Sequence, residues 1–118
     1  PLLNSPKGII YDRPRHQMMI VGFGNHSSIL IYDIRNQEVS IFQETVYSQL
    51  DGIAIDELGR IYFSSWKEKM IVMIPQEQNR FIPLVRNLTT PADFIYNERT
   101  KELLIPLVNK NKIHRHDL

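Results

Sequence analysis

The chain states one pattern three times. Pro6-Lys7-Gly8-Ile9-Ile10-Tyr11-Asp12 returns as Leu50-Asp51-Gly52-Ile53-Ala54-Ile55-Asp56, and again as Pro91-Ala92-Asp93-Phe94-Ile95-Tyr96-Asn97. Gly52 follows Gly8 by 44 residues and Asp93 follows Gly52 by 41. A period of about 40 residues limits the fold severely, because each repeat must be a supersecondary unit that buries its faces against its neighbours.

The runs between the repeats read as strands. Gln17–Gly22, Ser28–Asp33 and Glu38–Phe42 are rich in Ile, Val, Tyr and Phe and are bounded by Gly, Asn, Asp or Ser. Arg60–Ser64, Met70–Ile74 and Arg80–Val85 repeat the set in the second unit, and Glu102–Ile105 and Lys112–His116 supply two strands of the third. Asp56-Glu57-Leu58-Gly59 predicts a tight turn with Gly59 at positive φ. Asn36-Gln37 and Pro75–Asn79 predict hairpin turns, and Pro83 and Pro106 are expected at strand ends or edges. The expectation is an all-β chain of three four-stranded antiparallel β-propeller blades, at about 6–48, 49–89 and 90–118, the last lacking its outer strand. Residues 1–118 then form one half-propeller domain, with Pro1–Pro6 reading as the tail of a preceding blade's outer strand.

The strands are apolar on both faces, as in Met18-Met19-Ile20-Val21 and Met70-Ile71-Val72-Met73-Ile74. Such runs suit sheets covered on both sides. A stack of three leaves two end faces uncovered, and faces of that kind are association surfaces. Charge adds little to this picture. Fourteen basic and 13 acidic residues leave a formal net charge of +1, so no nucleic acid or anionic membrane partner is expected. Without cysteine there is no disulfide or thiolate metal site. No transmembrane segment or signal peptide is recognisable in a chain that opens at Pro1, and the compartment stays open. The sequons at Asn25-His26-Ser27 and Asn87-Leu88-Thr89 carry weight only in a secretory setting.

Leu50-Asp51-Gly52-Ile53-Ala54-Ile55-Asp56 followed by Gly59-Arg60-Ile61-Tyr62-Phe63-Ser64-Ser65-Trp66 resembles NHL-type repeats. More narrowly, it resembles the family of gluconolactonases, senescence marker protein and luciferin-regenerating enzymes. Thr90-Pro91-Ala92-Asp93-Phe94-Ile95-Tyr96-Asn97 with Leu103-Leu104-Ile105-Pro106 is similar to the last blade of bacterial members. The match is to the C-terminal half of a typical member. The resemblance implies a six-bladed propeller with a divalent metal, calcium or zinc, at the mouth of its channel, where it polarises a lactone carbonyl and activates water. Its ligands are a Glu, an Asn and an Asp. Asp51 matches the Asp, Lys7 stands where the Asn is expected, and the Glu falls in blades this chain does not contain, so the ligand set is incomplete. A lysine ammonium offers no lone pair and repels a cation, which makes an ion pair with Asp51 the alternative.

Asp51 thus reads either as a metal ligand or as a carboxylate stabilising a turn. Asp93 takes the glycine position of its repeat and reads as structural. His114 and His116 share one strand face, but no third metal ligand is evident, and solvent-facing residues are expected. Phe23, Asn25, Ser65, Trp66 and Asn109 lie in the loops after the second strands, on the face that also carries Lys7, Asp51 and Ala92. The channel-face candidates for holding a polar small molecule such as a sugar are therefore Lys7, Asn25, Asp51, Ser65, Trp66 and Asn109. Trp66 taken alone reads as a cap between blades. No nucleotide-binding glycine motif or nucleophile elbow is present, and no catalytic residue is assigned. The expected function is a module binding a small molecule or a partner; the alternative is a metal-dependent lactone hydrolase using Asp51. Two copies would close the ring as a homodimer, each N-terminus completing the partner's last blade, or missing N-terminal blades would do so.

Overall fold

A computed structural model describes residues 2–76 and 79–118. Eleven strands are present among them: β1 (Pro6–Asp12), β2 (Gln17–Gly22), β3 (Ser28–Asp33), β4 (Glu38–Glu44), β5 (Leu50–Ile55), β6 (Ile61–Ser65), β7 (Met70–Ile74), β8 (Ile82–Val85), β9 (Ile95–Asn97), β10 (Glu102–Leu107) and β11 (Lys112–Asp117). They form three antiparallel sheets in the orders β1-β2-β3-β4, β5-β6-β7-β8 and β11-β10-β9, one to each repeat. No described helix is long and apolar enough to cross a membrane.

The first strand of each sheet is the inner one: β1 packs against β5, and β5 against β9. This is a β-propeller-like arrangement. The middle sheet is covered on both faces, and period-two alternation divides its side chains between two cores. Ile53, Ile61, Phe63, Val72 and Ile74 meet Met19, Val21 and Ile29 of the first sheet. Ala54, Tyr62 and Ile71 face the other way, onto Phe94, Leu103 and Ile105 of the third.

Gly8 and Gly52 recur because the inner strands nearly touch. A Cβ at Gly8 would lie 2.3 Å from the Asp51 carbonyl oxygen, and one at Gly52 would lie 2.6 Å from that of Ala92. Both glycines lie beside the same irregularity. The β1–β2 register shifts between Pro6 and Ile9, and the β5–β6 register shifts between Leu50 and Ile53. Such a shift re-aims the side chains within it, here Lys7 and Asp51.

The turns repeat as well. Ser5, Gln49 and Thr90, each three residues before the glycine position, all have positive φ, and so do His16, Gly59 and Lys101 at the entry to the second strands. The Asp56–Gly59 turn forms as expected, with Gly59 at φ 86 and its N–H on the Asp56 carbonyl. The Pro75–Asn79 turn includes Glu77 and Gln78, which lie outside the described residues.

Three expectations need correction. The third inner strand begins at Ile95, four residues later than the repeat predicts. Its ladder ends at Ile95 opposite Leu104, two residues before Pro106, which has no N–H to extend it. Pro106 itself lies inside β10, opposite Ile113 and past the end of β9, whereas Pro83 does sit on an edge strand, β8. Leu2–Ser5 form no strand; Ser5 accepts a 2.8 Å hydrogen bond from the Phe23 N–H and stays with the first sheet.

Candidate functional site

The upper face, where the inner strands begin, brings together Lys7, Phe23, Asp51 and Trp66. Phe23 and Trp66 follow the ends of β2 and β6 at equivalent places. Their backbone N–H groups make the same bond in each repeat, to Ser5 O and Gln49 O. Trp66 Nε1 donates to Asp51 Oδ2 at 3.0 Å. Lys7 Nζ lies 3.7 Å from the same oxygen and 5.5 Å from the centre of the Phe23 ring. Phe23 and Trp66 meet edge to face at 5.5 Å. The cluster spans the first two sheets and stays accessible: the Lys7 side chain is 48% exposed and that of Asp51 13%. Lys7 and Asp51 thus form the ion pair that their repeat positions suggested.

The other candidates go elsewhere. Ser65 is fully buried, and its hydroxyl donates to Ser48 O at 2.6 Å. Asn25 is exposed and borders a cleft with Leu2, Leu3, Ile20 and Leu30. Asn109 borders another with Asn87, Thr89 and His114. Asp93 is exposed, and its Oδ1 accepts the Phe94 N–H at 3.0 Å. His114 and His116 have ring centres 6.4 Å apart.

A divalent ion at Asp51 is poorly served. Among the described residues no three His, Cys, Asp or Glu side chains converge on a common point. Asp51 itself is already bound by an indole N–H and faces an ammonium, which disfavours a cation beside it. The donor set does not fit the metal that the family resemblance implies.

Sequence reasoning missed the carboxylates of the lower face. Asp56, with a fully buried side chain, accepts from the Leu58 and Arg60 N–H groups, from Arg60 Nε and from the Tyr62 hydroxyl. Burial, and then this bond to Asp56, pushes the Tyr62 phenol far above its usual range. Asp12 repeats the device with Arg15 and Gln17. Beside them, Glu57 accepts from the Tyr96 hydroxyl and from Lys101 Nζ of the third sheet. The Lys101 and then the Tyr96 hydrogen bonds hold Glu57 below the usual carboxylate range, while burial and the Glu57 bond push Tyr96 up to about 12. The signal in the sequence was the acidic or amide residue closing each repeat: Asp12, Asp56 and Asn97.

No protein family and no curated protein matches the chain. Solved structures do. An auxiliary nutrient binding protein from Bacteroides ovatus superposes with a TM-score of 0.75 at 13% identity, covering 95% of this chain and 28% of that one. Its counterpart from Bacteroides thetaiotaomicron gives 0.75 at 17% identity, again over 95% and 28%. A chain of a nidogen/laminin complex gives 0.77 at 16% identity, over 93% and 42%. The chain therefore spans less than half the length of these proteins, and at such identities the likeness is one of fold.

Proposed function

We propose that the chain is half of a six-bladed, gluconolactonase-like propeller whose upper face binds a small polar molecule. The observation that carries this reading is the cluster of Lys7, Asp51, Phe23 and Trp66. It pairs a half-exposed cation and a carboxylate with two aromatic edges at the meeting of two inner strands. Both contacts to Asp51 fall on Oδ2, which leaves Oδ1 for a ligand hydroxyl. Lys7 suits a ligand carboxylate, and the aromatic edges suit the C–H face of a sugar-like body. A hydroxylated acid such as gluconate combines all three.

Trp66 is the single tryptophan, so its fluorescence reports on this site alone. Gluconate is expected to change that emission saturably, and Lys7→Ala or Asp51→Asn to abolish the change. No saturable response to gluconate or to neutral sugars would overturn the reading. The competing reading, a metal-dependent lactone hydrolase, is favoured by the place of Asp51 in Leu50-Asp51-Gly52 and disfavoured by Lys7 beside it. Metal-dependent lactone opening that Asp51→Ala abolishes would establish the competitor.

A further inference from the structure

The turn between β1 and β2 carries two arginines with opposite fates. Arg15 is held: its guanidinium donates to Asp12 Oδ2 at 3.0 Å and to Gly59 O at 2.9 Å, and it lies over the Phe42 ring. Arg13 is exposed and forms no ion pair among the described residues. The turn that presents it is stiff. Pro14 takes the second position, where its fixed φ suits a turn, and the His16 N–H closes onto the Arg13 carbonyl at 3.3 Å.

Arg13 and Pro14 border a lower-face cleft of about 430 Å³, a size within the range of small-molecule sites. All three repeats contribute to it. The first adds Tyr11, 49% exposed, and the second adds Ile55, which with Pro14 supply apolar surface. The second also lends Asp56 and Glu57, and the third lends Glu98. Two of these acids are already answered inside the fold. Asp56 pairs with Arg60, and Glu57 pairs with Lys101 and accepts the Tyr96 hydroxyl. Glu98 is exposed and has no ion pair among the described residues. With the internal pairs cancelled, the described lining keeps one cation, on the first repeat, and one carboxylate, on the third.

We propose that this cleft binds a short apolar peptide with both termini free, a dipeptide or tripeptide. Arg13 takes the terminal carboxylate, Glu98 takes the terminal ammonium, and Tyr11, Pro14 and Ile55 take the side chains between. An anion alone would face Glu98 and a cation alone would face Arg13, so a ligand carrying both charges is the one that satisfies both walls. Reach selects its length. Two steps between neighbouring inner strands, each at least the roughly 4.7 Å of paired strands, separate the first repeat from the third. The charges of a single α-amino acid stand too close together to bridge that distance, whereas a peptide gains about 3.4 Å per residue. The site draws only on these three repeats and stands apart from the upper face, so it does not depend on the gluconate reading.

Isothermal titration calorimetry of the full chain with leucyl-leucine and trileucine tests this, with circular dichroism to confirm that each variant folds. Saturable binding is expected for at least one of the two peptides, with Trp66 emission unchanged, because the tryptophan lies on the upper face. Arg13→Gln is expected to weaken binding about tenfold and to leave the affinity of the C-amidated peptide as it was. Glu98→Gln is expected to do the same, with the N-acetylated peptide as the indifferent one. The gluconate response at Trp66 should persist in both variants. No saturable binding of either peptide, or binding indifferent to both substitutions, would overturn the proposal. Binding that shifts Trp66 emission and disappears in Lys7→Ala would overturn it too, by placing the peptide on the upper face.

Discussion

Asp51 and Asp56 stand at opposite ends of one strand and do opposite things. Asp56 is buried and saturated: two backbone N–H groups, a guanidinium and a phenol converge on it. Asp51 is partly open, holds one indole N–H, and faces an ammonium at 3.7 Å. A saturated carboxylate has no capacity left for a ligand, and removing it strands its donors. A carboxylate with a free oxygen at a rim costs the fold little and keeps that capacity. The degree of saturation separates the two acids: Asp56 is fully occupied within the fold, whereas the hydrogen bond and ion pair of Asp51 both fall on Oδ2.

Asp56→Ala is the severest test of this contrast. It leaves the buried Tyr62 hydroxyl and Arg60 without their acceptor, and is expected to cost about 3 kcal/mol in chemical denaturation. A loss below about 1 kcal/mol would mean that water replaces the carboxylate and that saturation is not structural. Gly52→Ala comes next. Its methyl would meet the Ala92 carbonyl at 2.6 Å, and about 2 kcal/mol of destabilisation is expected from forcing two backbones apart; an unchanged midpoint would show that the inner strands can separate freely.

Alkaline titration sharpens the lower-face side of the comparison. Tyr96 is raised from its ordinary 10.0 to about 12 by burial and by its bond to Glu57. The folded chain thus holds that proton more tightly than the unfolded one. The stabilisation is complete below the ordinary value and is lost as pH climbs toward about 12. Tyrosinate absorbance should show a late step near pH 12 that Tyr96→Phe diminishes, leaving the still later titration of Tyr62. Asp51→Asn should have the smallest effect on stability, within about 0.5 kcal/mol, while removing the gluconate response. A large loss of stability in Asp51→Asn would make Asp51 as structural as Asp56.

Much of the fold was legible because its periods are local. Alternating apolar runs between turn residues located the strands, and the 40-residue spacing placed Lys7 and Asp51 at one rim. Phe23 and Trp66 reached the same rim because both follow a second strand. What stayed hidden depends on contacts between repeats. Gly8 and Gly52 marked the repeat, but the reason for them, that each lets the next carbonyl approach, lies between repeats. Ser65 was grouped with Trp66 by adjacency, although neighbours on an extended chain point oppositely and Ser65 turns inward. Asn25 and Asn109 lie in loops with no period to place them. Asp12 and Asp56 could be recognised as buried only once Arg15, Arg60 and Tyr62 were known to fold back onto them. The late start of β9 turned on Pro106, a residue in a different strand.

The approach of bare backbones at Gly8 and Gly52 has a consequence for how the upper face can vary. The spacing of the inner strands is set by atoms that every residue shares, with no side chain between them. Exchanging Lys7, Phe23 or Trp66 changes the chemistry offered on the upper face without changing the spacing of the inner strands. A methyl added at position 8 or 52 does the reverse. Strand spacing and surface chemistry are therefore separate dials in this scaffold, and each can drift or be engineered without disturbing the other.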